Sequence, residues 1–102
     1  MRIISVKTLR EFWKKYPDAE QPLKAWVDEA RKAHWQQPSD IKALYRSCSI
    51  VKNRRVVFNI KGNTYRLVVA IAFNQEIIYV KFIGTHGEYD KINVETIEME
   101  PN

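Results

Sequence analysis

Between Arg54 and Asp90 the chain reads RRVVFNIKGNTYRLVVAIAFNQEIIYVKFIGTHGEYD, three runs of strand-favouring residues divided by very short connections. Connections this short join antiparallel neighbours, because a parallel crossover needs a dozen residues or more. The stretch therefore predicts three consecutive antiparallel strands, Arg54–Ile60, Thr64–Phe73 and Ile77–Thr85, followed by a short polar segment. Lys61-Gly62-Asn63 is a Gly-containing hairpin loop, and Asn74-Gln75-Glu76 is a second tight turn.

The strands also divide into faces. From Thr64 to Phe73 the residues alternate, with Tyr65, Leu67, Val69, Ile71 and Phe73 on one side. The other side holds Thr64, Val68, Ala70, Ala72 and a single charge, Arg66. In the first strand Val56, Phe58 and Ile60 oppose Arg55, Val57 and Asn59. In the third, Ile78, Val80 and Phe82 oppose Ile77, Tyr79, Lys81 and Ile83. If the core faces align, Arg55, Arg66 and Lys81 share the opposite face, an alignment that a register slip or a bulge would reverse.

With 102 residues the chain is expected to be one domain. The single cysteine, Cys48, permits no internal disulfide and suits a reducing compartment. It has no adjacent base and is a poor nucleophile candidate. No apolar run reaches the roughly 18 residues of a membrane span, and Met1–Ser5 turns polar too soon for a signal peptide. These features predict a soluble cytoplasmic protein. The net charge of +5 is unevenly spread: residues 52–86 hold six Lys or Arg and one acid, whereas five acids and one base follow His86. A basic sheet beside an acidic tail points to a polyanionic ligand or to an ordinary solvated surface.

Upstream, Arg2–Ser5 reads as a short strand and Ser5 as an N-cap. Val6, Leu9, Trp13 and Tyr16 form the stripe of a first helix that Pro17 stops. A second helix starts between Asp18 and Pro22 and reaches about Trp35, with Leu23, Trp26, Val27, Ala30 and His34 on its inner stripe. Pro38 ends it, and Ser39 caps a short turn over Asp40–Tyr45. Arg46–Asn53 reads as irregular. Beyond Asp90, Ile92, Val94 and Ile97 suit a final strand or helix before a frayed end. The expected class is α+β, in the order β-α-α-β-β-β, with two helices on one face of an antiparallel sheet and the other face open. Trp13, Trp26 and Trp35, at helical spacing, are expected in the core.

His34 lies in line with an apolar stripe and reads as a packed or hydrogen-bonded boundary residue. His86 follows the last strand directly, in Gly84-Thr85-His86-Gly87-Glu88-Tyr89-Asp90, where backbone can approach a ligand. His, Glu, Tyr and Asp within five residues offer proton donors and acceptors over a wide range; the same string also suits an ordinary polar turn. If extended, it would aim His86, Glu88 and Asp90 at one point, as a metal site could require, but the reading is a turn and no metal. Tyr79 has the parity to stack a base or support Lys81.

Two blocks, Phe58-Asn59-Ile60-Lys61-Gly62-Asn63-Thr64-Tyr65-Arg66-Leu67-Val68 and Thr85-His86-Gly87-Glu88-Tyr89-Asp90, together resemble the HigB branch of the RelE/ParE toxin superfamily. The resemblance covers essentially the whole chain and implies a RelE-like fold. It implies an mRNA interferase, an endoribonuclease that cuts messenger RNA in the ribosomal A site, with a helix-turn-helix antitoxin of HigA type as partner. It also implies cleavage without metal or cofactor, by in-line attack of the ribose 2′-hydroxyl on the neighbouring phosphate. Arg66 matches the superfamily's strand arginine, and His86 and Tyr89 match its catalytic segment. No second arginine stands near the end of the last strand, and Lys81 is the nearest cation there.

That chemistry suits the residues. A dianionic phosphorane calls for fixed cations, and Arg66 can grip two phosphate oxygens in a fork. Lys81 and Arg55 add charge around it. Histidine is the residue type in the segment whose charge changes near neutrality, so His86 is assigned general base or acid. Tyr89 is assigned the complementary proton donor or substrate orienter. Lys52, Arg54 and Lys61, with Arg55, are read as messenger or ribosomal RNA contacts. Two rivals remain: a gyrase-poisoning toxin of the ParE kind on the same scaffold, and a non-catalytic RNA- or ribosome-binding module.

Overall fold

In the computed structural model, which describes residues 1–99, the protein is an α+β fold built on one five-stranded mixed sheet. In chain order the elements are β1 (Arg2–Ile4), α1 (Val6–Lys15), α2 (Glu20–Lys32), α3 (Pro38–Leu44), β2 (Ser49–Val51), β3 (Arg55–Ile60), β4 (Tyr65–Ala72), β5 (Ile77–Thr85) and α4 (His86–Tyr89). The sheet order is β1-β5-β4-β3-β2. The three expected hairpin strands pair antiparallel, and β1 joins their edge parallel to β5. β2 pairs antiparallel with β3, inside a stretch the sequence reads as irregular. Its connection to β3 turns through left-handed backbone at Asn53 and Arg54, φ 62° and 61°. Arg54 is therefore a turn residue, and the strand begins at Arg55.

The helices start and stop for local reasons. Ser5 occupies the N-cap position of α1 in left-handed backbone but makes no side-chain cap bond. Pro17 ends α1 and opens a short 3-10 turn into α2. The carbonyls at the end of α2 are met by the Met1 ammonium, which donates to Ala30, Arg31 and Ala33 at 3.0, 2.7 and 2.9 Å. α2 thus ends at Lys32, short of the expected boundary, and His34 lies outside it. Rather than packing on the stripe, His34 is 81% exposed and lies 3.0 Å from Glu76 Oε1. Pro38 takes the first position of α3, where its missing N–H costs nothing, and Gln37 with Asp40, not Ser39, forms the cap.

One core lies between the helices and the sheet. Leu9, Leu23, Trp26 and Ala30 meet Val56, Phe58, Leu67, Val69, Ile71 and Ile78 there. Phe58 is its hub: Tyr45 and Trp26 contact its ring edge-on at 5.1 and 5.3 Å, and Trp35 stacks at 6.4 Å. Each fully buried side chain of this size adds roughly 1.5–3 kcal/mol over leaving it in water. Trp26 and Trp35 are buried, whereas Trp13 is only partly covered and carries Lys24 over its ring.

A bulge decides the faces. Val68 pairs with Phe82 and Val69 with Val80, so Lys81 has no partner across the β4–β5 ladder. Beyond it the parity of β5 inverts. Phe82, grouped with Ile78 and Val80 by alternation alone, passes to the other face, and Ile83 packs against the core. That other face is not open along its length. Residues 90–99, after α4, form neither strand nor helix but lie over it, with Asn53 donating to Glu95 O and Arg55 to Ile97 O. The frayed end expected beyond it, residues 100–102, lies outside the described residues.

Candidate active site

The far end of β5 and the start of β4 bring three of the expected residues together. Arg66 faces Gly84 across the β4–β5 ladder and Asn59 across β3–β4. Its guanidinium lies 5.7 Å above the centre of the Tyr89 ring, a cation–π contact that ties α4 to the sheet. Nη1 also donates to Asn63 O at 3.0 Å. Among the described residues these contacts leave guanidinium N–H groups without a protein partner, so the fork retains donors for an anion.

α4 is a single turn, too short to persist alone. Thr85 holds it: Glu88 N donates to Thr85 Oγ1 at 3.2 Å and Thr85 N to Glu88 Oε1 at 2.8 Å. This capping box satisfies backbone donors at both ends of the exchange. It also consumes Glu88, so His86, Glu88 and Asp90 do not converge as an extended segment would make them. Among the described residues no three His, Cys, Asp or Glu side chains are grouped to hold a metal ion. His86 N donates to Thr64 O at 3.2 Å, anchoring the helix start to the β3–β4 connection.

Within α4, His86 and Tyr89 stand three residues apart and share a side. His86 Nδ1 lies 3.2 Å from Asp90 Oδ2. A proton on Nδ1 donates to that carboxylate and leaves the Nε2 lone pair pointing outward, the form a general base needs. Gly84 leaves room here: a Cβ would stand 2.5 Å from Phe82 Cζ and 3.1 Å from Glu88 Oε1, so a side chain would force both to shift. A side chain at 84 would thus press on both the ring beneath and the carboxylate that caps α4.

Lys81 belongs to a second cluster. It lies three residues before Gly84, roughly 10 Å back by the rise of a strand. Its Nζ is 2.6 Å from Glu98 Oε2, and Glu98 Oε1 accepts from Arg55 Nη2 at 3.0 Å. Chiefly through the Lys81 hydrogen bond, and also through both positive charges, Glu98 titrates below the usual carboxylate range. Arg55, expected on an uncovered face, is only 6% exposed. Tyr79 is 37% exposed beside this cluster, with Lys81 Nζ 5.6 Å above its ring.

The remaining expected RNA contacts lie on turns. Lys52 and Arg54 are exposed in the β2–β3 connection. Lys61, at the β3–β4 turn, pairs with Asp18 at 2.6 Å, and Tyr65 donates to the same carboxylate. Lys61 and Tyr65 hold Asp18 below its ordinary value, and Asp18 in turn raises the Tyr65 phenol to about 12. Cys48 is buried, and burial pushes its thiol upward. Sequence reasoning missed Asp90 as the partner of His86 and Glu98 as the partner of two cations.

A family model describing HigB toxin, the RelE-like toxic component of a toxin–antitoxin system, matches residues 19–92. The chain is 32% identical over 92 residues to an mRNA interferase toxin HigB of Escherichia coli strain K12, covering 88% of each. An mRNA interferase HigB of Shigella flexneri matches to the same extent. Another from Escherichia coli O6:H1 is 28% identical over 94 residues, 90% of this chain and 91% of its own.

Proposed function

This chain belongs to the HigB toxin family, the RelE-like toxic component of a toxin–antitoxin system, and on that footing we propose that it is an mRNA interferase, an endoribonuclease that arrests translation. The chain is read as one toxin domain, with the two N-terminal helices over one side of the sheet in the RelE-like manner. It acts in the cytoplasm on messenger RNA held by the ribosome, and a helix-turn-helix antitoxin of HigA type restrains it. Among the described residues no helix is long and apolar enough to cross a membrane.

The observation that carries the reading is Arg66 over the Tyr89 ring, one helical turn from His86. A scissile phosphate gripped by the Arg66 fork lies beside an imidazole and a phenol. The 2′-hydroxyl attacks the phosphorus in line and forms a 2′,3′-cyclic phosphate as the 5′-oxygen leaves. His86, steadied by Asp90, takes the 2′ proton or delivers one to the 5′-oxygen, and Tyr89 orients the linkage or serves the complementary step. No metal is needed for either transfer. Lys81 and Arg55 add positive potential farther along the sheet, and Lys52, Arg54 and Lys61 contact RNA from the turns.

The test is purified protein on programmed ribosomes, with new messenger 5′ ends mapped. Removing one fixed donor to a transition-state oxyanion costs roughly 10²–10³ in rate, and general acid–base catalysis contributes typically 10²–10⁴. Arg66→Ala and His86→Ala should each lower cleavage by those factors and abolish growth arrest while melting as the wild type does. A folded double variant that still arrests growth refutes the assignment. Growth arrest with intact transcripts and damaged DNA would instead indicate the gyrase-poisoning scaffold, and salt-sensitive binding without new ends a plain binding module.

A further inference from the structure

A second anion site lies on the same sheet face as Arg66 but farther along it, and it is already filled by a carboxylate of this chain. Arg55 faces Ala70, four residues along β4 from Arg66, or roughly 13 Å by strand rise. Arg55 and Lys81 together hold Glu98, with contacts of 3.0 and 2.6 Å. Arg55 is 6% exposed, and its Nε, also buried, has no hydrogen-bond partner among the described residues. A guanidinium this buried, with a donor left over, is under-used by one monodentate carboxylate oxygen and one backbone carbonyl.

The surroundings suit a nucleotide. Arg54, Arg55, Tyr79, Lys81 and Glu98 line a cavity of about 420 Å³. Tyr79 is among the few large apolar side chains left exposed, and its ring borders that cavity. An exposed aromatic beside two cations is the arrangement that holds single-stranded nucleic acid, the base on the ring and the phosphate on the charges. Among the described residues, the segment 95–99 is fastened by Asn53 to Glu95 O, Arg55 to Ile97 O, the two Glu98 pairs and the packing of Met99 against the core.

We propose that Arg55 and Lys81 form a second phosphate subsite for single-stranded RNA, with Tyr79 as its base platform, and that Glu98 occupies this subsite as an internal competitor that incoming RNA displaces. The proposal rests on the nuclease reading for its choice of ligand but not on which residues cut. The guanidinium fork and the ammonium pass from one carboxylate to one phosphate without change of charge. Segment 95–99 then swings off the sheet. Both states keep Arg55 paired, so exchange costs mainly the Arg55 to Ile97 O bond and the Met99 packing, and the strap lowers RNA affinity by the fraction of time it holds the site.

The experiment measures binding of a labelled single-stranded 2′-O-methyl RNA, which cannot be attacked at the 2′ position, by fluorescence anisotropy across a salt series. Glu98→Gln should bind about fivefold tighter than wild type, the size of removing one partly exposed ion-pair competitor. Its salt dependence should be steeper, because two cations become free to release counterions. Lys81→Met in the Glu98→Gln background should return both properties toward wild type. Unchanged or weaker binding by a folded Glu98→Gln variant overturns the proposal. Should Glu98→Gln fail to fold, an NMR titration of wild type decides: shifts at Ala70, Tyr79, Lys81 and residues 95–99 support it, and their absence overturns it. Cleavage by Arg66→Ala is scored separately. If that variant still cuts while Glu98→Gln binds tighter, the catalytic centre is misplaced and the subsite stands; the reverse pattern removes the subsite alone.

Discussion

Thr85→Ala tests whether the one-turn helix α4 is held by its cap, and whether that hold matters to the chemistry. Two reciprocal bonds are at stake, Glu88 N to Thr85 Oγ1 at 3.2 Å and Thr85 N to Glu88 Oε1 at 2.8 Å. The substitution deletes the first and frees the Glu88 carboxylate that makes the second. Loss of a Thr cap costs about 1 kcal/mol, roughly fivefold in a two-state ratio. No residue of α4 is buried, so that cost falls on local opening rather than on the whole fold. The Asp90 amide, bonded to His86 O at 3.0 Å, should exchange its hydrogen about fivefold faster. Cleavage should fall by up to the same factor, since His86 and Tyr89 ride on this turn. Were the cost felt globally, the melting temperature would drop by about 4–8 °C; a smaller shift is expected, and Thr85→Ser should restore most of the loss. Unaltered exchange at Asp90 together with full cleavage would refute the reasoning, as would a full global drop without faster local exchange.

Phe58→Ala removes the ring on which Trp26, Trp35 and Tyr45 converge and should cost about 3–5 kcal/mol; urea unfolding checks this, and a loss under about 1 kcal/mol would mean the cluster collapses to fill the gap. The Asp18 carboxyl is held low by Lys61 and Tyr65, so its contribution is present above the unfolded value near 4 and lost as pH falls through the lower folded value. The melting temperature of wild type should therefore exceed that of Asp18→Asn at pH 6, with the gap closing below about pH 4; a gap constant with pH would show the contacts act without charge. Arg66→Lys keeps the charge but not the fork: RNA binding should survive while the cleavage rate falls at least tenfold, and equal losses in both would argue that Arg66 serves only affinity.

The alternation from Val56 to Ile83 carried most of the sheet, because a half-buried strand writes its two faces into every second residue. It failed at Lys81, where one unpaired residue inverts the parity beyond it and exchanges Phe82 with Ile83. Nothing in the sequence marks that bulge; Gly84, the nearest small residue, is three positions late. β2 escaped notice because it is three residues long and its turn runs through left-handed Arg54, which is no turn signature. The cap of α4, by contrast, was written in plain letters, Thr85-His86-Gly87-Glu88 being the Ser/Thr-x-x-Glu spacing of a capping box. That spacing marks a helix start and commits Glu88 to the cap rather than to a metal. Arg66 and Tyr89 were singled out separately; their contact depends on where α4 folds back, which no local pattern states.

The charge asymmetry has the longest consequence. Six bases in residues 52–86 against one acid suggest a sheet waiting for a polyanion. Yet part of that charge is met within the molecule: Glu98 takes Arg55 and Lys81, and Asp18 takes Lys61. A count of charges cannot tell a vacant basic surface from one already neutralised by the chain's own acids. The two cases differ in salt response, because only cations with mobile counterions release them when RNA binds. Arg66, whose partners are a carbonyl and an aromatic ring rather than a carboxylate, is therefore the sheet cation best placed to bind an outside phosphate first. On that logic the wild-type salt slope should drop by about 0.7 on Arg66→Ala, one phosphate contact on a single strand. Lys81→Met alone should change it much less, since Lys81 gives up Glu98 for every phosphate it gains. Equal changes for both would mean that the Glu98 pairs do not hold in solution.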